Sequence, residues 1–170
     1  MNRGAEPSSS KTSDHQKGVR VYFAAAMRGG RDNLKTNQQI VAYLSQLGHE
    51  VLTLHVTDNG YEQREAELSD RRIYERDMAL LGRAEVVVAE ATTPSLGTGY
   101  EIAEALRQNI PVLCLHRTDT ALPFSALIAG ISHPRYYCVS YTGDTWQQAL
   151  KNFLSHNHGE AGSRKYGNRI

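Results

Sequence analysis

The chain has 170 residues, two cysteines and a formal net charge of +1. That length suits one well-cored domain and is short for two. The near-neutral charge argues against a broad electrostatic surface for nucleic acid, and no run approaches the roughly 20 apolar residues of a membrane span. No basic-then-apolar signal segment opens the sequence. We expect a protein of the cytoplasm, with the nucleus as a second candidate, that engages neither nucleic acid nor membrane. Cys114 and Cys138 lie in apolar, strand-like runs and are expected as reduced thiols of the core.

Residues 1–18 are polar, Ser-rich and without periodicity, the pattern of a disordered leader. Residues 158–170 read as a flexible tail, which leaves 19–157 as the domain. Val19–Ala26 is an apolar run of strand formers. Leu34, Ile40, Val41, Leu44 and Leu47 then mark one face of a helix over 33–47, ended by Gly48. Glu50–Val56 is the second strand, followed by a polar stretch, 57–69. Ile73, Leu80 and Leu81 mark a helix over 70–83. The most apolar run, Ala84–Ala91, is the third strand, and 98–109 is a helix with Ile102, Ala105 and Leu106 inward. Pro111–His116 is the fourth strand, 122–131 a short helix or turn, and Arg135–Tyr141 the fifth strand. An amphipathic helix over 144–156 carries Trp146, Ala149, Leu150 and Phe153.

Alternation of this kind implies right-handed crossovers and a parallel sheet covered on both faces. The expected fold is an α/β doubly wound, flavodoxin-like sheet of five strands in the order 2-1-3-4-5. Its topological switch then lies between strands 1 and 3, where ligands bind beyond the carboxyl ends of the strands. Two glycine-containing turns flank that switch: Arg28-Gly29-Gly30 after strand 1, and Ser95-Leu96-Gly97-Thr98-Gly99 after strand 3. A strand that runs through glycines and hydroxyls into a helix is the usual cradle for a phosphate, because the first helical N–H groups lack intrahelical partners.

Glu101 is expected in the first turn of the helix that follows. There it is either a capping-box acid paired with Thr98 or a functional carboxylate. The helix field should lower its pKa and keep it ionised, which suits a nucleophile. Asp77 stands four residues from both Ile73 and Leu81, on an inward helix face, so it must meet a partner or a site. Arg76 and Arg83 are its candidate ion-pair partners. Tyr22, mid-strand, is by propensity a core residue. Arg28 and Arg31 flank the Gly-Gly turn, where a guanidinium suits a phosphate or a base edge. Ser95 and Ser125 are each also capable of simply capping a helix.

The histidines and cysteines show no metal-ligand spacing. Neither Gly-x-x-x-x-Gly-Lys-Ser/Thr nor Gly-x-Gly-x-x-Gly after strand 1 is present, which disfavours an ATPase and a dinucleotide cofactor. The serine-hydrolase elbow Gly-x-Ser-x-Gly is missing as well. We expect neither metal nor cofactor.

Seven motifs stand in order: Val21-Tyr-Phe-x-x-x-Met-Arg-Gly-Gly-Arg31, Val51-Leu-Thr-x-His-Val56, Glu75-x-Asp77, Val87-Val-Ala-Glu90, Pro94-Ser-Leu-Gly-x-Gly-Tyr-Glu101, Pro111-Val-Leu-Cys-Leu115 and Phe124-Ser-Ala-Leu-Ile128. Together, over about residues 19–155, they resemble the 2′-deoxynucleoside 5′-phosphate N-hydrolases of the nucleoside 2-deoxyribosyltransferase superfamily. The resemblance implies a Rossmann-like homodimer that cleaves the N-glycosidic bond of deoxynucleoside monophosphates, giving a free base and 2-deoxyribose 5-phosphate. It implies Glu101 as the nucleophile at C1′, Asp77 as the carboxylate at the base, and Tyr22 beside sugar and nucleophile, disfavouring a 2′-OH. Arg28, Gly29, Gly30, Ser95, Gly97, Gly99 and His55 would bind substrate, with Ser125 reaching the phosphate from the partner subunit.

Two positions depart from that pattern. Ala26 replaces a hydroxyl expected on the phosphate, and Ala129 stands where a relative carries a basic residue. The first implies weaker phosphate affinity without loss of function, and the second a weaker grip on the base or the phosphate. Two alternatives remain at this point: a nucleoside 2-deoxyribosyltransferase that passes the sugar between bases, and a nucleotide-binding sensor without turnover.

Overall fold

A computed structural model describes residues 18–26, 33–57 and 65–157, apart from the side chains of His55 and Val56. All of the expected leader (1–18) but Gly18, and the whole of the expected tail (158–170), lie outside the described residues. The elements are β1 (Arg20–Ala25), α1 (Leu34–Gln46), β2 (Glu50–Val51), a 3-10 turn (Leu54–Thr57), α2 (Asp70–Leu81), β3 (Val86–Glu90), α3 (Leu96–Arg107), β4 (Val112–Arg117), α4 (Ala126–Ala129), β5 (Tyr136–Tyr141) and α5 (Trp146–Asn157). The sheet is parallel throughout, in the order β2-β1-β3-β4-β5. The expected switch between β1 and β3 is therefore present.

Both faces of the sheet are covered, so the central strands are apolar without alternation. On one face Val21, Phe23, Val88, Leu113 and Leu115 pack with Ile40 and Leu44 of α1 and Trp146 and Leu150 of α5. On the other, Tyr22, Ala24, Val87, Ala89 and Cys114 pack with Leu81 of α2 and Ile102 and Ala105 of α3. Gly48 follows α1 at φ +85°, a left-handed conformation that glycine enters without a Cβ penalty.

Two expectations fail. The second strand, read as Glu50–Val56, pairs only over Glu50–Val51. Its continuation is replaced by a side chain: Thr53, 1% exposed, accepts Phe23 N at 2.9 Å and donates to Phe23 O at 2.8 Å. With the hydroxyl satisfying both backbone groups of β1, the chain turns into the 3-10 segment that carries His55. The second failure is Cys138. It stands directly opposite buried Cys114 in the β4–β5 register, and both thiols are free, but Cys138 is exposed. It lies on an outer strand, with its neighbours on the same face, Tyr136 and Ser140, only partly covered or exposed.

Candidate active site

The site is built on the sheet face covered by α2 and α3, beside the middle of β1. Tyr22, 1% exposed, directs its hydroxyl to Glu101 Oε1 at 2.6 Å. Residue 101 reaches it because Ser95, in extended conformation, starts α3 one residue later. The Ser95 Oγ accepts Thr98 N at 3.2 Å, an N-cap that satisfies one of the helix's orphan donors.

This start corrects the sequence reading of Glu101. The helix begins at Leu96, not 98, and the cap is Ser95, with Thr98 giving only its backbone N–H. Glu101 is thus the sixth helical residue and no acid lies in the first turn, beyond the reach of a helix field that fades within about one turn. The expected lowering of its pKa does not occur. Burial pushes the carboxyl up to about 7, the Tyr22 hydrogen bond pulls it down, and the Asp77 charge pushes it up again. Tyr22 in turn is pushed far above the ordinary phenol range by burial and by Glu101, so it stays the proton donor of the pair.

A cavity of about 300 Å³ opens in front of Glu101, lined by Gly97, Asp77, Met78 and Glu65 and edged by Tyr74 and Tyr100. The two tyrosine hydroxyls lie 3.2 Å apart and the rings 6.2 Å between centroids, both half-exposed at the mouth. Asp77 enters from α2, and Arg76 holds it: Nε donates to Asp77 Oδ1 at 2.8 Å while Nη2 donates to Glu65 Oε1 at 2.6 Å. Of the two arginines that sequence nominated, Arg76 is therefore the partner. The arrangement places an ionisable carboxylate with a raised pKa, a phenol that donates to it, and a second carboxylate around one hollow large enough for a nucleoside-sized ligand.

Among the sequence-predicted residues, Asp77, Gly97 and Glu101 line this cavity, Tyr22 reaches it only through its bond to Glu101, and Ser95 caps the helix beside it. Gly99 is turned elsewhere. A Cβ there would point to Ile128 Cδ1 of α4, 3.9 Å away. Ser125 precedes α4 with no side-chain cap bond, so its expected capping role is not the one observed; it is exposed. Arg28, Gly29 and Gly30 lie outside the described residues, as does the side chain of His55. Among the described residues no group of three or more His, Cys, Asp or Glu could hold a metal ion, and no helix is long and apolar enough to cross a membrane. Glu65, Tyr74 and Tyr100 were not singled out from sequence. The spacing of Tyr74 from Asp77 and Met78, three and four residues, was the available signal, since such positions share a helix face.

Residues 21–159 match the family described as nucleoside 2-deoxyribosyltransferase. The chain belongs to that family. Several of its relatives are named 5-hydroxymethyl-dUMP N-hydrolase. The one from Mus musculus is 46% identical over 65% of this chain and 64% of its own. The one from Danio rerio is 37% identical over 80% of this chain and 96% of its own. The fold is shared with the solved structure of a CMP N-glycosidase of Clostridium botulinum, at a TM-score of 0.58 and 23% identity, covering 79% of this chain and 99% of that one. The family match spans every element from β1 to α5, so the Tyr22–Glu101 pair and Asp77 all lie within it.

Proposed function

We propose that the protein hydrolyses the N-glycosidic bond of 2′-deoxynucleoside 5′-monophosphates, releasing the free base and 2-deoxyribose 5-phosphate. The observation that carries this reading is the 2.6 Å bond between Tyr22 and Glu101 at the wall of a cavity shared with Asp77. A Glu101 oxygen attacks C1′ as the C1′–N bond breaks, and the base leaves with the bonding electrons and takes up a proton. Asp77, on the opposite wall, contacts the base and assists its departure. Water then attacks C1′ as its bond to the Glu101 oxygen breaks, freeing the carboxylate and giving up one proton, which balances the one taken up by the base, the two-step logic of retaining glycosidases. Tyr22 orients the nucleophile and crowds a 2′-OH. The 5′-phosphate lies by the Ser95-capped start of α3, where unpaired backbone N–H groups favour an anion, with Arg28, Gly29 and Gly30 and the His55 side chain completing the grip.

The relatives' names support a deoxynucleotide substrate. The family's description also admits sugar transfer to a second base, which needs the same glycosyl-enzyme and differs only in the acceptor. Chromatography of wild-type reactions on deoxynucleoside monophosphates, 5-hydroxymethyl-dUMP among them, with and without a free acceptor base, separates the two. Release of free base without acceptor supports the hydrolase. Turnover only with acceptor base supports the transferase, and tight binding without any turnover would leave a nucleotide sensor.

We further propose that two copies associate, each lending Ser125 to the other's phosphate. Ser125 is exposed and caps nothing, and next to it Leu127 is 86% exposed, with Leu96 at the α3 start 97% exposed. Sedimentation equilibrium checks this. The free thiols Cys114 and Cys138 support placing the reaction in a reducing compartment, the cytoplasm or nucleus.

A further inference from the structure

Glu90 is the last residue of β3 and points to the sheet face opposite Tyr22 and Glu101, beneath the switch. It is 1% exposed, and its oxygens are ringed by donors. The Thr92 hydroxyl donates to Oε1, the Tyr141 hydroxyl reaches the same oxygen at 3.1 Å, and Asn33 Nδ2 donates to Oε2 at 3.3 Å. Asn33 Nδ2 also reaches Thr93 Oγ1 at 3.2 Å, and Thr92 Oγ1 accepts Arg117 N at 2.8 Å.

Two features of this cluster are costly. A carboxylate out of water is tolerated only when its lone pairs are satisfied. Asn33 occupies the N-cap position of α1, yet makes no side-chain cap bond, although asparagine is among the best residues for that task. Its amide serves Glu90 and Thr93 instead. Val88, two residues back on the same face, fills its place with methyl groups alone, so core packing does not require an acid here. What the acid does achieve is a tie between two chain segments: the start of α1, and Thr92–Thr93, which lead directly into the Ser95 cap of α3. Those segments flank the switch crevice.

We propose that Glu90 is a positioning residue for recognition of the 5′-phosphate, its carboxylate locking the start of α1 to the Thr92–Ser95 turn. This rests on the proposed hydrolase reading for the identity of the anion. Sugar and base are handled on the other face by Tyr22, Glu101 and Asp77, so the effect of Glu90 falls on the phosphate end alone.

Glu90→Gln preserves volume but removes the charge and, in either amide orientation, turns an NH2 toward a group that now donates to it, the Asn33 amide or the Thr92 and Tyr141 hydroxyls. Inorganic phosphate as a competitive inhibitor should weaken about tenfold, and KM for the deoxynucleoside monophosphate should rise equally, the loss of roughly one charge-assisted hydrogen bond. The kcat should stay within about threefold, since transition-state contacts at the sugar are intact. Adding Asn33→Asp restores a donor facing an acceptor and should return both constants to within about threefold of wild type. Should Glu90→Gln fail to fold, Asn33→Ala, which leaves the two hydroxyl donors on Glu90, should show the same pattern. The inference is overturned by unchanged phosphate inhibition in the folded variant, by a fall in kcat without a rise in KM, or by a double variant that folds but is not rescued. A wild type that binds phosphate by calorimetry, loses that binding in Glu90→Gln, and releases no base would refute the hydrolase reading and leave the clamp standing.

Discussion

Two glutamates lie by the central strands, one on each face of the sheet, Glu90 buried and Glu101 half-buried, and their surroundings differ. Glu90 is met by hydroxyls from Thr92 and Tyr141 and by the Asn33 amide. Glu101 has the Tyr22 hydroxyl on one oxygen and open space before it. For both, burial is the largest influence and raises the pKa. The number of donors and the hollow before Glu101, together with the fuller burial of Glu90, therefore separate an acid that holds structure from one that is free to react. A carboxylate wrapped in donors has most of its lone pairs engaged, whereas one held from a single side keeps its reactive oxygen directed at a ligand.

That contrast breaks first at Glu101 itself. Glu101→Ala should lower base release by at least about 10⁴-fold in single-turnover assays, as removal of a nucleophile does. Retained activity would move the nucleophile elsewhere. The same residue should carry a stability signature. Folded Glu101 titrates near 7 against an ordinary 4.5, so its contribution to folding is full below about 4.5 and is lost as pH rises through 7. Glu101→Gln should thus be more stable than wild type at pH 8, by at most about 3 kcal/mol, read from denaturant midpoints at pH 5 and 8.

Asp77→Asn comes next. Loss of its assistance at the base should cost about 10²- to 10⁴-fold in kcat. Because its charge raises the Glu101 pKa, the rising limb of kcat/KM, near pH 7 in wild type, should also move to lower pH. Tyr22→Phe should move that limb the other way, since the phenol's hydrogen bond lowers the Glu101 pKa. Its rate cost should be about 10- to 100-fold, the range for one hydrogen bond to a charged group, with relative activity on ribonucleotides increased. The smallest effect is expected from Ala26→Ser, which restores a hydroxyl beside the crevice and should lower KM for the monophosphate by up to about tenfold, leaving kcat unchanged.

The strand order was legible because each strand is an apolar run bounded by polar or glycine-containing turns, and helical periodicity separates one from the next. The same pattern located the crevice and, through the motifs, Tyr22, Asp77 and Glu101. It misjudged β2, because Thr53 looks like a strand residue and acts as a substitute for one. It misjudged the ionisation of Glu101, because helix start and burial depend on how α3 lies against β1. Glu65 escaped notice since the polar stretch before α2 has no period to read, and its meaning lies in an ion pair with a residue eleven positions away. Cys138 read as core because its neighbours are apolar, while an outer strand leaves one side uncovered.

The hydroxyl of Thr53 has one more consequence. By ending β2 after two residues and occupying the backbone groups of Phe23 itself, it leaves that border of the sheet almost without a ladder for a stray strand to extend. Long, flat borders recruit neighbouring chains into aggregates, and very short ones resist this. A threonine at this position thus protects the folded protein from sticking to itself, and Thr53→Val, which keeps the shape but not the bonds, should aggregate sooner on storage at high concentration.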